Sequence, residues 1–236
     1  MSPAPSLVRI HGEQGRISDQ WKGTDGLPLV AELRGLLPHG TLRRGTSVGI
    51  SGQVGHTSLL LTLLAGPVEN GSWAAIVGMP ALGPEAANEF GISLDRLALI
   101  PDPGEAWLEV TAALLDSIDI VALHPVDGCR PNDARRLLAR ARERHSVLIL
   151  IDDQSSTRGS RRSALTRWPQ PPDLVLEVTD SDWYGLGDGH GNLHECALSV
   201  TAGGRRLAGA HRTVNLTTGH TITDPELPQQ LLSVAR

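Results

Sequence analysis

The sequence predicts an α/β protein: a mostly parallel sheet covered by helices on both faces, with an antiparallel C-terminal extension. Three observations predict it. Between Thr46 and Ile151 short apolar runs of strand length alternate with helical stretches, which implies parallel strands joined by helical crossovers. The run IDIVAL (Ile118 to Leu123) is apolar enough to be covered on both faces, and SVLILI (Ser146 to Ile151) follows as a fifth strand. From Asp173 the helices stop, and LVLEV, ECALSV and RTVNL follow one another across glycine-rich turns, as antiparallel strands do.

Taken in order, residues 1–26 are rich in Gly, Ser, Pro and Gln without periodicity and read as a flexible arm. A short helix is expected from about Leu29 to Leu37, stopped by Pro38 and Gly40. TSVGI (Thr46 to Ile50) is a buried strand, and Thr57 to Ala65 is a helix apolar on nearly every face. SWAAIVGM gives the second strand, GPEAANEFG a short helix closed by Gly91, and LALIPD the third strand. EAWLEVTAALLDS is a helix with an apolar stripe through Trp107, Val110, Leu114 and Leu115. After the fourth strand, PNDARRLLARARER is a helix with Asn132 or Asp133 as N-cap and its arginines outward. The core is expected to span 27–216, leaving 217–236 as a tail or docking segment.

A chain of 236 residues, 40% hydrophobic, can bury one sizeable core. No apolar run approaches the roughly 18 residues of a membrane span, and MSPAPSLVRIHGEQG is no signal peptide, so the expectation is a cytoplasmic protein with no membrane partner. Cys129 and Cys196 are too few for a disulfide framework and read as reduced thiols. The net charge of −5 hides an uneven distribution: between Arg130 and Arg167 ten arginines face four carboxylates. Lysine occurs once, at Lys22, so none lies near the glycine turn that follows the first strand.

That turn, in GISGQVGHTSLLLTLLA (Gly49 to Ala65), has the strand, glycine turn and apolar helix of a phosphate-cradling loop. A working P-loop reads G-x-x-x-x-G-K-S/T: backbone N–H groups wrap the phosphates, the lysine bridges the terminal ones, and the hydroxyl holds Mg²⁺. Here only Gln53 and Val54 separate Gly52 from Gly55, so the loop is two residues short, and His56 stands where the lysine should. A mostly neutral imidazole supplies little of the lost charge. No nucleotide-binding site and no cofactor are therefore expected.

LLPHGTLRRGTSVGISG followed by TSLLLTLLA resembles the opening of the RecA core, in which a G-L-P-x-G turn precedes the strand and P-loop. ALGPEAANEFGISLDRLALIPD resembles the segment that leads into the third strand of that core, DSIDIVALHP its Walker B strand, and LILIDDQ the strand whose end senses nucleotide. The resemblance runs from about Leu29 to Leu216. It implies that the phosphate-binding lysine falls on His56, the Mg²⁺-holding hydroxyl on Thr57, the catalytic glutamate on Met79, the Walker B aspartate on His124 and the polar switch residue on Gln154. Met79 cannot polarise water, and His124 is a poor second-shell Mg²⁺ ligand. Small size and degenerate motifs further resemble the ImuA-type accessory proteins of bacterial mutagenic translesion synthesis.

That resemblance implies a catalytically inactive, nucleoid-associated adaptor in the SOS-type DNA-damage response. Its partners would be a Y-family polymerase-like subunit and an error-prone replicative-type polymerase, with RecA and single-stranded DNA as further candidates. The alternative is a divergent DNA-dependent ATPase, or a RecA paralogue that regulates recombination on single-stranded DNA.

The remaining candidates are the basic stretch after the fifth strand and a polar turn. Arg158, Arg161, Arg162, Arg167 and Trp168 combine charge with an aromatic, suited to phosphate contacts and base stacking or to a partner surface; a solvated loop with Trp168 on the core is the competing reading. GDGHGNLHEC brings Asp188, His190, His194 and Cys196 close in sequence, but Gly185, Gly187, Gly189 and Gly191 make the turn flexible, and it reads as a polar turn with no metal. His56, His124 and His145 read as neutral fillers rather than a catalytic group.

Overall fold

The computed structural model describes residues 26–125, 129–152, 165, 168–184, 195–207 and 210–219. Strands β1 (Gly26–Pro28) and β2 (Thr41–Arg43) form a small antiparallel pair. The main sheet contains β3 (Ser47–Ser51), β4 (Ala74–Val77), β5 (Leu97–Ile100), β6 (Ile120–Leu123), β7 (Val147–Ile151), β8 (Leu174–Tyr184), β9 (Glu195–Gly203) and β10 (Arg212–Gly219). Its order is β10-β9-β8-β3-β7-β6-β4-β5. From β8 to β5 neighbouring strands are parallel, and β9 runs antiparallel to both of its neighbours, β8 and β10. This is the arrangement expected from the switch in pattern at Asp173. Strand β10 runs on to Gly219, past the expected core limit at 216.

The helices are α1 (His56–Glu69), α2 (Pro84–Glu89), α3 (Trp107–Ser117) and α4 (Pro131–Glu143). Side chains of the parallel strands alternate between two cores, as a period of two requires. Val48, Ile50, Ile76, Ile149 and Ile151 face α1, while Ala75, Val77, Val121, Leu148 and Leu150 face α3 and α4. Helix α1 buries Leu59, Leu60, Leu61, Leu63 and Leu64, consistent with an interior helix. It runs past Ala65 and through Pro67, whose missing N–H falls in the last turn, where Asn70 closes the helix by donating from its backbone N and Nδ2 to the Gly66 carbonyl.

Three local expectations are corrected. The helix at Leu29 to Leu37 is instead a 3-10 turn at Ala31–Leu33 followed by a second at Pro38–Gly40. Gly35 and Pro38 leave too few residues to offset helix nucleation, and Leu33, Leu36 and Leu37 are buried without a helix. On α3 the buried positions are Thr111 and Leu115, and Leu108 rather than Val110 packs on the core. Thr111 is tolerated there because its Oγ1 donates to the Trp107 carbonyl at 2.7 Å. Helix α4 has Pro131 at its first position and Arg130 as its N-cap residue, ahead of the expected Asn132 or Asp133, and has no side-chain cap hydrogen bond; Asn132 Oδ1 accepts from Arg135 Nη1 instead.

Polar groups fasten the end of the sheet away from the glycine turn. Asp119, fully buried before β6, accepts from Arg44 Nη1 at 2.6 Å and from the Trp73 backbone N at 3.0 Å. Asp173, before β8, accepts from both N and Oγ of Ser47, at 3.1 and 2.9 Å, and so ties β8 to β3 across 126 residues of sequence. Burial alone would raise the Asp173 pKa, but these hydrogen bonds and the nearby Arg142 and Arg206 guanidinium groups hold it below the ordinary carboxylate value.

Candidate functional site

The expected site residues stand in a row at the carboxyl ends of the parallel strands. The sheet order places the glycine turn after β3, then Asp152 after β7, His124 after β6, and Met79 just beyond β4. Asp152 is buried, and its backbone N donates to the Ile50 carbonyl at 2.8 Å. His124 donates its backbone N to the Val77 carbonyl at 2.9 Å. Met79 lies partly buried against the core on the α1 side, so its thioether serves packing where the resemblance puts a water-polarising carboxylate. Thr57 lies in the first turn of α1, next to His56, the first residue of the helix.

The turn is shaped by what lies beside it. Gly55 has φ +81° and a β-carbon there would sit 2.6 Å from Leu198 Cδ2. At Gly52, with φ +154°, a β-carbon would sit 2.9 Å from Val178 Cβ. Both glycines are therefore required by the close approach of β8 and β9 to the turn, whether or not a phosphate ever binds.

Beside the turn lies a groove of about 480 Å³, bounded by Gly52 to Val54 on one side and Glu177 to Ser181 on the other. Among the described residues no lysine or arginine lines it, whereas Glu177 and Asp180 do, both exposed. The amino end of α1 contributes about half a positive charge. The carboxylates of Glu177 and Asp180 on the facing wall oppose that charge. The register explains how the carboxylates arrive: Ser51 pairs with Glu177, and a bulge between Val178 and Asp180 inserts Thr179, whose Oγ1 donates to the Ser199 carbonyl at 3.1 Å. Sequence reasoning missed both carboxylates. Alternation in LVLEV marks Glu177 as outward, but only the β3–β8 pairing brings it to the turn.

The basic segment is less free than its composition suggests. Arg140 and Arg144 both reach Asp116 on α3, Arg140 Nε at 2.7 Å and Arg144 Nε at 3.1 Å from Oδ1. The hydrogen bond from Arg140, helped by both positive charges, holds the Asp116 pKa below its usual value. Arg142 lies 3.6 Å from Asp173. On this stretch Arg130, Arg135 and Arg136 remain exposed. Trp168 is 4% exposed and belongs to the core on the α3 and α4 side, so the indole is not presented for stacking. Arg158, Arg161, Arg162 and Arg167, together with Gln154, lie outside the described residues.

Of the polar turn, Asp188, His190 and His194 also lie outside the described residues, and Cys196 is buried in the core on β9. The Cys129 thiol is pushed up to about 11 by burial and then by the Asp133 carboxylate, which makes it a poor nucleophile. Among the described residues no three His, Cys, Asp or Glu side chains converge as a metal site would need, and no helix is long and apolar enough to cross a membrane.

A mostly parallel sheet between two helical layers, with a glycine turn leading from the strand beside its centre into a buried helix, is a RecA-like fold. The fold matches that of the flagellar accessory protein FlaH from Methanocaldococcus jannaschii, with a TM-score of 0.55 at 13% identity over 82% of this chain and 93% of that one. The RadB recombinase is matched with a TM-score of 0.48 at 15% identity, over 72% of this chain and 86% of that one. Within this fold the chain belongs to the MT3502 N-terminal domain family, whose profile matches residues 35–156, more than half of its length. It is 45% identical over 100 residues to the protein Rv3395c of Mycobacterium tuberculosis, a stretch that makes up 42% of this chain and 48% of the relative. The chain thus spans about half the length of the curated relative it matches.

Proposed function

We propose that this chain is a RecA-like adaptor without ATP hydrolysis, acting in DNA-damage-induced mutagenesis as a scaffold for an error-prone translesion polymerase complex. The observation that carries the loss of nucleotide chemistry is the groove beside the glycine turn, which has carboxylates on its wall and no cation among the described residues. The short loop with His56, and the apolar packing of Met79, support the same reading. The mutasome role rests on the sequence resemblance to ImuA-type proteins. In this reading the partners are a Y-family polymerase-like subunit and an error-prone replicative-type polymerase, with RecA and single-stranded DNA as further contacts at the lesion. The working compartment is the cytoplasm, at the nucleoid.

Mixing the purified chain with the Y-family subunit of the same organism and following the complex by analytical ultracentrifugation tests the scaffold. A stable complex that is weakened by the double reversal Arg161→Glu with Arg162→Glu, without loss of folding, supports both the role and the basic segment as a contact. Unchanged binding of the variant sinks that contact, and absence of any complex sinks the adaptor reading. Mg²⁺-dependent ATP turnover that grows with self-association would instead support the divergent ATPase.

A further inference from the structure

Strand β8 outruns its neighbour. Strand β3 ends at Ser51, opposite Glu177, while β8 continues to Tyr184 and pairs there only with β9 among the described residues. Beyond the turn, the edge of β8 that faces β3 therefore has no strand beside it among the described residues. This edge borders the groove, whose floor carries the bulge at Thr179. Val54, 49% exposed, stands on the opposite rim, and Trp183 and Tyr184, 39% and 52% exposed, continue along β8. These three are among the few large apolar side chains left in water among the described residues.

The charges along this edge are all of one sign. Glu177, Asp180 and Asp182 are exposed, and none forms an ion pair among the described residues; Asp180 Oδ1 accepts only from the Ser181 backbone N, at 2.9 Å. Unsatisfied strand edges recruit extended peptides through their main-chain groups, and side-chain pockets then select among them. Here the selecting groups are carboxylates for a cation and an aromatic surface on which a guanidinium can stack.

We propose that the groove between the glycine turn and the overhang of β8 is a docking site for an extended, arginine-containing segment of a partner protein. The segment lies along the β8 edge, places a cationic side chain between Glu177 and Asp180, and rests an apolar neighbour on Val54. A nucleic acid or a nucleotide would meet the same carboxylates as repulsion. This site deepens the adaptor reading by giving it a second surface, opposite in charge to the basic segment.

The test uses the full chain and a fluorescently labelled peptide of alternating Arg and Val, with its Glu-for-Arg counterpart, in anisotropy titrations. Saturable binding of the Arg peptide alone is expected, weakened about tenfold or more by Glu177→Gln with Asp180→Asn, since each lost charge-assisted contact is worth about one such factor. The control Asp95→Asn with Glu105→Gln removes two exposed charges elsewhere and should leave binding unchanged. Equal losses in both pairs would reduce the effect to net charge and overturn the site. So would the absence of binding, or displacement of the peptide by Mg·ATP or by an oligothymidylate. Failure here leaves the polymerase-subunit complex intact as a separate measurement, so the two proposals fall independently.

Discussion

Leu198 of β9 lies so close to Gly55 that a β-carbon on the glycine would sit 2.6 Å from its Cδ2. The contact alone requires a glycine at this turn, because a side chain of the antiparallel extension, itself almost fully buried, stands where a β-carbon would go. Gly52 against Val178 repeats the relationship on the neighbouring strand. The turn keeps the outline of a nucleotide site because β8 and β9 pack against it.

Gly55→Ala should therefore destabilise the fold strongly. Its φ of +81° costs an L-residue about 1–2 kcal/mol, and the forced contact with the core adds about 1–3 kcal/mol. Urea unfolding of the single variant should show a loss in this range. Leu198→Ala in the same chain should recover part of it, because it removes the contact that the new β-carbon forces.

Asp119 is predicted to be the costliest carboxylate to remove. Asp119→Ala strands the guanidinium of Arg44 and the Trp73 N–H beneath the sheet, a loss of about 3–5 kcal/mol measured by thermal or urea denaturation. Replacing Arg44 and Asp119 together by Met and Leu should be far milder than the single change.

The Asp173 clamp gives an acid-sensitive contribution. Its folded pKa is depressed, so its stabilisation is complete above the unfolded carboxylate value of about 3.9 and is lost as pH falls through the lower folded value. Asp173→Asn should cost about 1–3 kcal/mol at neutral pH through its hydrogen bonds to Ser47. The gap between the two proteins should close as the pH falls below about 4, the unfolded value. A gap that widens in acid would contradict the clamp.

Most of the central sheet was legible because its signal is local: apolar runs such as Val147 to Ile151 alternate strictly between the two cores. Spacing alone misled at Leu29 to Leu37, where leucines at helical intervals are buried by turns, and on α3, where a threonine with a backbone partner holds a core position. Composition misled at Trp168, since an indole beside arginines suits stacking on bases as well as it suits a core. The groove was not legible at all. Its walls, Gln53 with Val54 and Glu177 with Asp180, meet only through the register of β3 on β8.

Calorimetric titration of the purified chain with Mg·ATP to millimolar concentration shows whether the glycine turn holds a nucleotide. No saturable heat is expected, and none after His56→Lys, because the loop stays two residues short and Glu177 and Asp180 still face it. Saturable binding by the unmodified chain would overturn the adaptor without nucleotide chemistry and restore the turn as a working site.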